Sequence, residues 1–339
     1  MSRGRCALEI MAPGLFSAFP WEPQAALSAD IRALERLLGR AELVREPADD
    51  PVSNLLNRFG CPRLEDPVDP PLGALSLLGE GGDPGARFWL RATPVALHPD
   101  RDQLLLFDLE QHPPSRELVD TLVVAFNRHF GADGWHLEAP SVLRWYLRAP
   151  RALRVRSRPF DTVAGGSVGR ALPGGEDGGT LRRLMAETEM LFHGVMNGSA
   201  APVGDVPGVN GLWLDGAGSV PSCGKPEYEE IVSDDPFVAG LARLCNVRRV
   251  SARAAAGPGS PSRLVCIDRL QRARRSDDPS VFQEALGALV ALLLGAAREL
   301  GRTDWLQVSA GGQYALRLDR RRMRRWWSRP RSLFAPPAP

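Results

Sequence analysis

Apolar positions along this chain recur with two periods, and the switches between them outline its elements. Residues 7–15 (ALEIMAPGL) form a short apolar run that stops at Pro13-Gly14, the pattern of a buried strand. Ile31, Leu34, Leu38 and Ala41 share a helical face, and Ser28 precedes them as a candidate N-cap, which predicts a helix over 29–45. Residues 46–53 read as a loop, 53–59 as a short helix and 62–71 as a Pro/Asp-rich loop. Residues 88–97 and 103–108 flank the turn His98-Pro99-Asp100-Arg101-Asp102 and predict a hairpin. A helix over 115–130, with Leu118, Leu122, Ala125 and Phe126 on its inner face, leads to a strand pair at 134–138 and 143–148.

Residues 161–179 are glycine-rich and read as a linker. Beyond them the order changes. A helix over 180–193 carries Leu181, Leu184, Thr188, Leu191 and Phe192 along one side, and a short strand follows at 212–214. Asp235-Pro236 opens a helix to about residue 246, with proline at its first position. A buried strand at 264–268, an apolar helix at 280–300 and a closing hairpin (305–308 with 314–318) complete the pattern. The expected fold class is α/β: an N-terminal α+β domain (1–160), the linker 161–179, a C-terminal α/β domain (180–318) and a tail (319–339).

Composition narrows the classes. The chain has 339 residues, of which 44% are hydrophobic and 24% charged, so it is globular rather than disordered or fibrous. Net charge is +2, which excludes polyanion binding by bulk charge. The charge is uneven, however: residues 317–331 hold eight arginines against the single acid Asp319, so the body is mildly acidic and the tail basic. Lys225 is the only lysine. The cysteines Cys6, Cys61, Cys223, Cys245 and Cys266 are odd in number and widely spaced, which suggests neither a disulfide framework nor a zinc site. No apolar h-region opens the chain, and the longest apolar run, 285–297, falls short of the roughly 18 residues of a spanning helix. The expected compartment is a reducing cytoplasm.

Several segments carry a family pattern. Phe88-Trp89-Leu90-Arg91-Ala92-Thr93-Pro94-Val95-Ala96-Leu97 with Asp100-Arg101-Asp102-Gln103-Leu104, Arg144-Trp145-Tyr146-Leu147, Glu189-Met190-Leu191-Phe192-His193 and Val209-Asn210-Gly211-Leu212-Trp213 occur in order. Together they resemble the RpfE-type bacterial regulatory proteins. The resemblance implies a scaffold similar to cofactor-independent phosphoglycerate mutases of the alkaline-phosphatase-like superfamily. Those enzymes use two metal ions held by Asp and His, and a Ser nucleophile. This chain departs at Asp215-Gly216-Ala217-Gly218, where the family has W-G-x-G, and at Gly194-Val195-Met196-Asn197, where it has x-P-V-N.

The candidate chemistry follows from these segments. After the strand ending at Asp268 come Arg269, Arg272, Arg274 and Arg275 where a mutase-like metal motif would hold histidine. Arginine does not ligate metal, so no catalytic or metal residue and no cofactor is expected. The leading expectation is a non-catalytic regulatory or ligand-binding protein on a degenerate mutase scaffold, with a small anionic ligand or a protein as partner. Its ligand-contacting candidates are Arg91 for bidentate contact, the i, i+4 pair Glu189 and His193, and the glycine-rich turn with Asn210, Asp215, Gly216 and Gly218. One alternative is a phosphoglycerate-mutase-like enzyme using two divalent metals such as manganese. Another is a nucleic-acid-binding regulator acting through Arg321, Arg322, Arg325, Trp326 and Trp327, by phosphate contact and base stacking. The same tail suits an anionic membrane surface, or packing against the body.

Overall fold

Twelve strands run through the described residues: β1 Ala7–Met11, β2 Glu42–Arg45, β3 Trp89–Asp100, β4 Gln103–Phe107, β5 His136–Glu138, β6 Tyr146–Arg148, β7 Gly211–Gly218, β8 Glu230–Val232, β9 Arg248–Val250, β10 Ser262–Cys266, β11 Trp305–Ser309 and β12 Tyr314–Asp319. They are seen in a computed structural model that describes residues 7–18, 20–48, 50–62, 69–101, 103–198, 208–252, 262–274, 278–300, 303–325 and 327–337, the side chains of 26, 197 and 198 excepted. The chain divides into two units: Met1–Arg63 with Cys223–Val238 and Ala242–Pro339, and Leu64–Ser222 with Ala239–Leu241.

The first unit is built on a seven-stranded sheet in the order β2-β12-β11-β1-β10-β8-β9. β1 lies parallel to both neighbours, Ile10 facing Val265 on β10 and Val308 on β11. One face of the sheet is apolar. There Ile10, Val308, Leu316 and Leu318 meet Ile31, Leu34 and Leu38 of the helix Ala25–Leu38 and Phe282, Leu286, Leu289 and Leu293 of the helix Pro279–Arg298. The long helix starts as its sequence dictates: the Asp278 carboxylate accepts from Ser280 N at 2.8 Å, and Pro279 sits at the first position. By length and composition this helix is apolar enough to cross a membrane. The apolar run alone understates it, because Val281 and Phe282 extend the stretch toward the N-terminus. Its inner face packs on the sheet.

Local chemistry overrides the expected helix over 29–45. The helix begins at Ala25, with Gln24 as N-cap, and Ser28 lies inside it, its Oγ donating to Gln24 O at 3.4 Å. It ends at Gly39, and residues 42–45 form β2, whose Leu43 and Val44 pair with Leu316 and Ala315 of β12. Pairing rewards the β-prone Leu-Val pair more than another helical turn would.

The second unit carries an antiparallel sheet in the order β4-β3-β6-β5, with β7 also paired to β3. The expected hairpin and strand pair are present as β3/β4 and β5/β6. The helices Arg116–Phe130 and Gly178–Gly198 supply Leu122, Phe126, Leu181, Leu184 and Phe192 to its core around Trp145. An additional helix, Leu72–Gly79, has every residue from Leu72 to Leu77 buried. With no polar face it shows no amphipathic period, so the sequence pattern passes over it.

This division replaces the expected boundaries at 160 and 180. Parallel pairing of β1 with β10 and β11 joins the two chain ends in one sheet, which a linear reading cannot display. The glycine-rich segment 161–179 is no linker. Gly165 N donates to Leu106 O at 2.8 Å, Leu106 N to Gly166 O at 3.1 Å and Val168 N to Leu104 O at 2.8 Å, while Val163, Val168 and Ala171 are buried against Val95, Leu106 and Trp213. Residues 319–339 are not a separate tail either. Leu316, Leu318 and Leu333 are fully buried, and Arg331 N and Leu333 N donate to the backbone and carboxylate of Glu35 at 2.9 and 3.1 Å.

Candidate functional site

Five of the seven ligand-contacting candidates are brought together, but by strand pairing. Arg91 and Asp215 stand opposite each other on β3 and β7. Arg91 Nε donates to Asp215 Oδ1 at 2.6 Å and Nη2 to Oδ2 at 3.0 Å, and Phe160 N donates to Oδ2 at 2.6 Å. The Asp215 carboxylate is 1% exposed, and its oxygens are taken by these three donors. Gly216 has φ +63°, and a Cβ there would overlap the Leu72 side chain; Gly218 presses on Pro71. Asn210 completes the ladder, its Oδ1 accepting from Leu97 N at 2.7 Å and its Nδ2 donating to Leu97 O at 2.8 Å. The expected open glycine turn is a buried bulged strand, because a close helix and an ion pair stabilise a sequence that would otherwise break pairing. Glu189 is half-buried and His193 exposed, one turn apart on the helix Gly178–Gly198.

In open α/β sheets ligands bind outside the carboxyl ends of the parallel strands. Here β1, β8, β10 and β11 run parallel and end on one side, where the carboxylates that follow them accept hydrogen bonds from the chain itself. Asp234 accepts from Ser251 Oγ at 2.6 Å, Asp235 Oδ1 from Phe237 N at 2.8 Å, and Asp268 Oδ1 from Arg272 Nη2 at 3.1 Å. Arg274, over the loop after β1, donates through Nη2 to Ala18 O at 2.7 Å, while its Nη1 is buried with no hydrogen-bond partner. All five histidines (98, 112, 129, 136 and 193) lie within 64–222, so none follows these strands. No three His, Cys, Asp or Glu side chains among the described residues are placed to hold a metal. Strand ends without histidine, and with Arg269 and Arg272 following Asp268, do not fit the Asp/His two-metal centre that the mutase resemblance implies.

The second face of the seven-stranded sheet holds a polar cluster absent from the sequence-level candidates. Glu9, Gln307 and Arg317 occupy one cross-strand row on β1, β11 and β12. Arg58, from the helix Pro51–Arg58, pairs with Glu9 and donates through Nη2 to both Glu46 oxygens at 2.8 and 2.9 Å. Tyr228 OH donates to Glu9 Oε2 at 2.9 Å and accepts from Arg58 Nη1 at 3.1 Å; Gln307 bridges Glu46 and Arg317. Burial pushes the Glu46 carboxyl up to about 7, against the pull of Arg317 and the Gln307 hydrogen bond, and the Tyr228 phenol up to about 12. The signal was legible: a lone Glu in ALEIM and a lone Gln in WLQVS interrupt otherwise buried strands.

A disulfide joins Cys61 to Cys223 in the same unit, although the count and spacing of the cysteines suggested no disulfide framework. A separation of 162 residues gives no local motif, so spacing could not reveal it. Cys245 and Cys266 are free, and Cys6 lies outside the described residues.

The arginine-rich C-terminus packs on the first unit. Arg322 bridges to Glu42 at 2.8 Å, Arg40 donates to Met323 O at 2.8 Å, and Arg317 stacks over Trp305 at 4.6 Å. Arg321, Arg325 and Trp327 stay exposed, and Trp326 lies outside the described residues. Where the chain turns back beside Gly39, it forms a cavity of about 500 Å³ whose lining includes Ser328, Arg329, Arg331 and Ser332. Arg331 is half-buried, and its Nη1 is buried with no hydrogen-bond partner. A Cβ on Gly39 would run into the carbonyl of Arg329, so only glycine lets this wall approach the helix end.

No protein-family model matches the chain, and no curated protein sequence does. Among solved structures it is similar to the PH0037 protein from Pyrococcus horikoshii, with a TM-score of 0.51 at 13% identity over 93% of this chain and 87% of that one. It is also similar to the cofactor-independent phosphoglycerate mutase from Thermoplasma acidophilum, with a TM-score of 0.42 at 15% identity over 93% and 90%. The likeness to the Pyrococcus protein is one of fold, and it agrees with the α/β class expected from the sequence.

Proposed function

We propose that this chain is a non-catalytic regulatory or ligand-binding protein of the RpfE type on a mutase-like scaffold, and that its ligand is a small anion held by the C-terminal segment. The observation that carries the reading is the 500 Å³ cavity lined by Arg329 and Arg331, with the buried, unpartnered Nη1 of Arg331. A solvent-open groove of this volume has room for a small anion. A buried guanidinium nitrogen without a partner is costly, and the remaining guanidinium groups of Arg329 and Arg331 on this wall are the donors that would meet a carboxylate or phosphate.

The test is calorimetric titration of the full chain with inorganic phosphate and with pyrophosphate. Saturable binding is expected, weakened at least tenfold by Arg331→Ala. Absence of saturable binding, or binding indifferent to Arg331→Ala, would refute the reading. A second reading, nucleic-acid binding, rests on exposed Arg321, Arg325 and Trp327. It requires an affinity that falls steeply with salt and drops in the Arg321→Ala/Arg325→Ala double variant. Deleting 317–339 is no test, because it would remove part of β12 and the buried Leu333.

A further inference from the structure

The disulfide occupies a particular place in the chain. The first unit runs to Arg63 and resumes at Cys223, so Cys61 and Cys223 stand at the two ends of the long excursion into the second unit. Their segments lie side by side: Gly224 N donates to Gly60 O at 3.2 Å, and Gly60, at φ +64°, comes so near that a Cβ would meet Gly224 Cα at 3.1 Å. The same two segments feed the buried polar cluster. Arg58 and Tyr228 hydrogen-bond to each other and to Glu9, and the rings of Phe59 and Tyr228 lie 6.3 Å apart.

Among the described residues the free thiols offer little competing chemistry. Cys266 is buried and its thiol is pushed up to about 12, and burial also raises that of Cys245. Cys61 is 6% exposed, whereas Cys223 is half-buried. Independently of the anion site, we propose that Cys61–Cys223 is a reversible redox site, a clasp that a dithiol reductant opens and that holds the two segments over the polar cluster when closed.

The exchange balances. A thiolate of the reductant attacks Sγ of Cys223, the less buried residue; the Cys61–Cys223 bond breaks, and Cys61 leaves as a thiolate that takes up a proton. The second thiolate of the reductant attacks its own sulfur in the mixed disulfide and frees Cys223, which is protonated in turn. Two electrons pass to the protein, and the reductant leaves as its disulfide. The sheet core does not depend on this bond, because β1, β10 and β11 are paired directly.

The test is hydrogen–deuterium exchange on the full chain, oxidised and then reduced with dithiothreitol, with thiol alkylation to count the free cysteines. Reduction is expected to add two alkylated sites, at Cys61 and Cys223, and to speed exchange at least tenfold in peptides covering 55–62 and 223–232. Exchange in 305–319 should change less than twofold, and reoxidation should restore the first state. The Cys61→Ala/Cys223→Ala variant should behave like the reduced protein and ignore reductant. If that variant does not fold, the reversible wild-type measurement stands alone. Alkylation of both cysteines without reductant would overturn the proposal. So would unchanged exchange at the two segments, or equal loosening of 305–319, which marks a global staple.

Discussion

The Arg91–Asp215 pair shows how one residue is read differently with and without its partner. Each looked like a ligand contact, and they lie 124 positions apart, so nothing in the sequence joins them. In the fold they satisfy each other. Asp215→Ala should therefore destabilise the second unit by roughly 3 kcal/mol, since it removes the buried carboxylate that accepts from the Arg91 guanidinium and the Phe160 N–H. Asp215→Asn should cost less, as it retains an acceptor; chemical denaturation of both variants checks this. Glu46 gives a pH signature. Its folded pKa of about 7 lies above its ordinary 4.5, so the folded chain binds the extra proton and stability falls as pH rises between those values. Glu46→Gln should flatten the stability profile between pH 4.5 and 7; a profile as steep as the wild type's would contradict the burial of that proton.

Among the elements, those with a clear period were legible in the sequence. The helix Pro279–Arg298 was announced by its Asp-Pro start and apolar stripe, and the hairpins by their turns. The helix Leu72–Gly79 and the full strand β7 were not, because burial on all sides erases the polar half of the pattern. The stripe carries a quantitative expectation. Leu289→Ala on the inner face should lose about 2–5 kcal/mol, whereas the exposed Val281→Ala should change stability by roughly 0.5 kcal/mol or less. Equal losses at the two positions would mean that the helix packs by another face.

For the molecule as a whole, composition gave the class but not the assembly. Strands β1, β10 and β11 come from the two ends of the chain, and parallel partners leave no mark on spacing. The same topology explains why the arginine-rich end could be taken for a free tail: its charges dominate the sequence, while the buried Leu316, Leu318 and Leu333 that anchor it are few. Truncation after residue 316 should consequently abolish cooperative unfolding of the first unit, read by circular dichroism; a truncated chain that melts like the full one would show the end to be dispensable. Function at this scale turns on whether the scaffold carries metal chemistry. Tightly bound metal per purified chain, measured by mass spectrometry alongside phosphoglycerate mutase activity with and without manganese, decides it most directly. A non-catalytic anion-binding protein should hold no stoichiometric metal and show no turnover in either condition. Stoichiometric metal with manganese-dependent turnover would contradict that role.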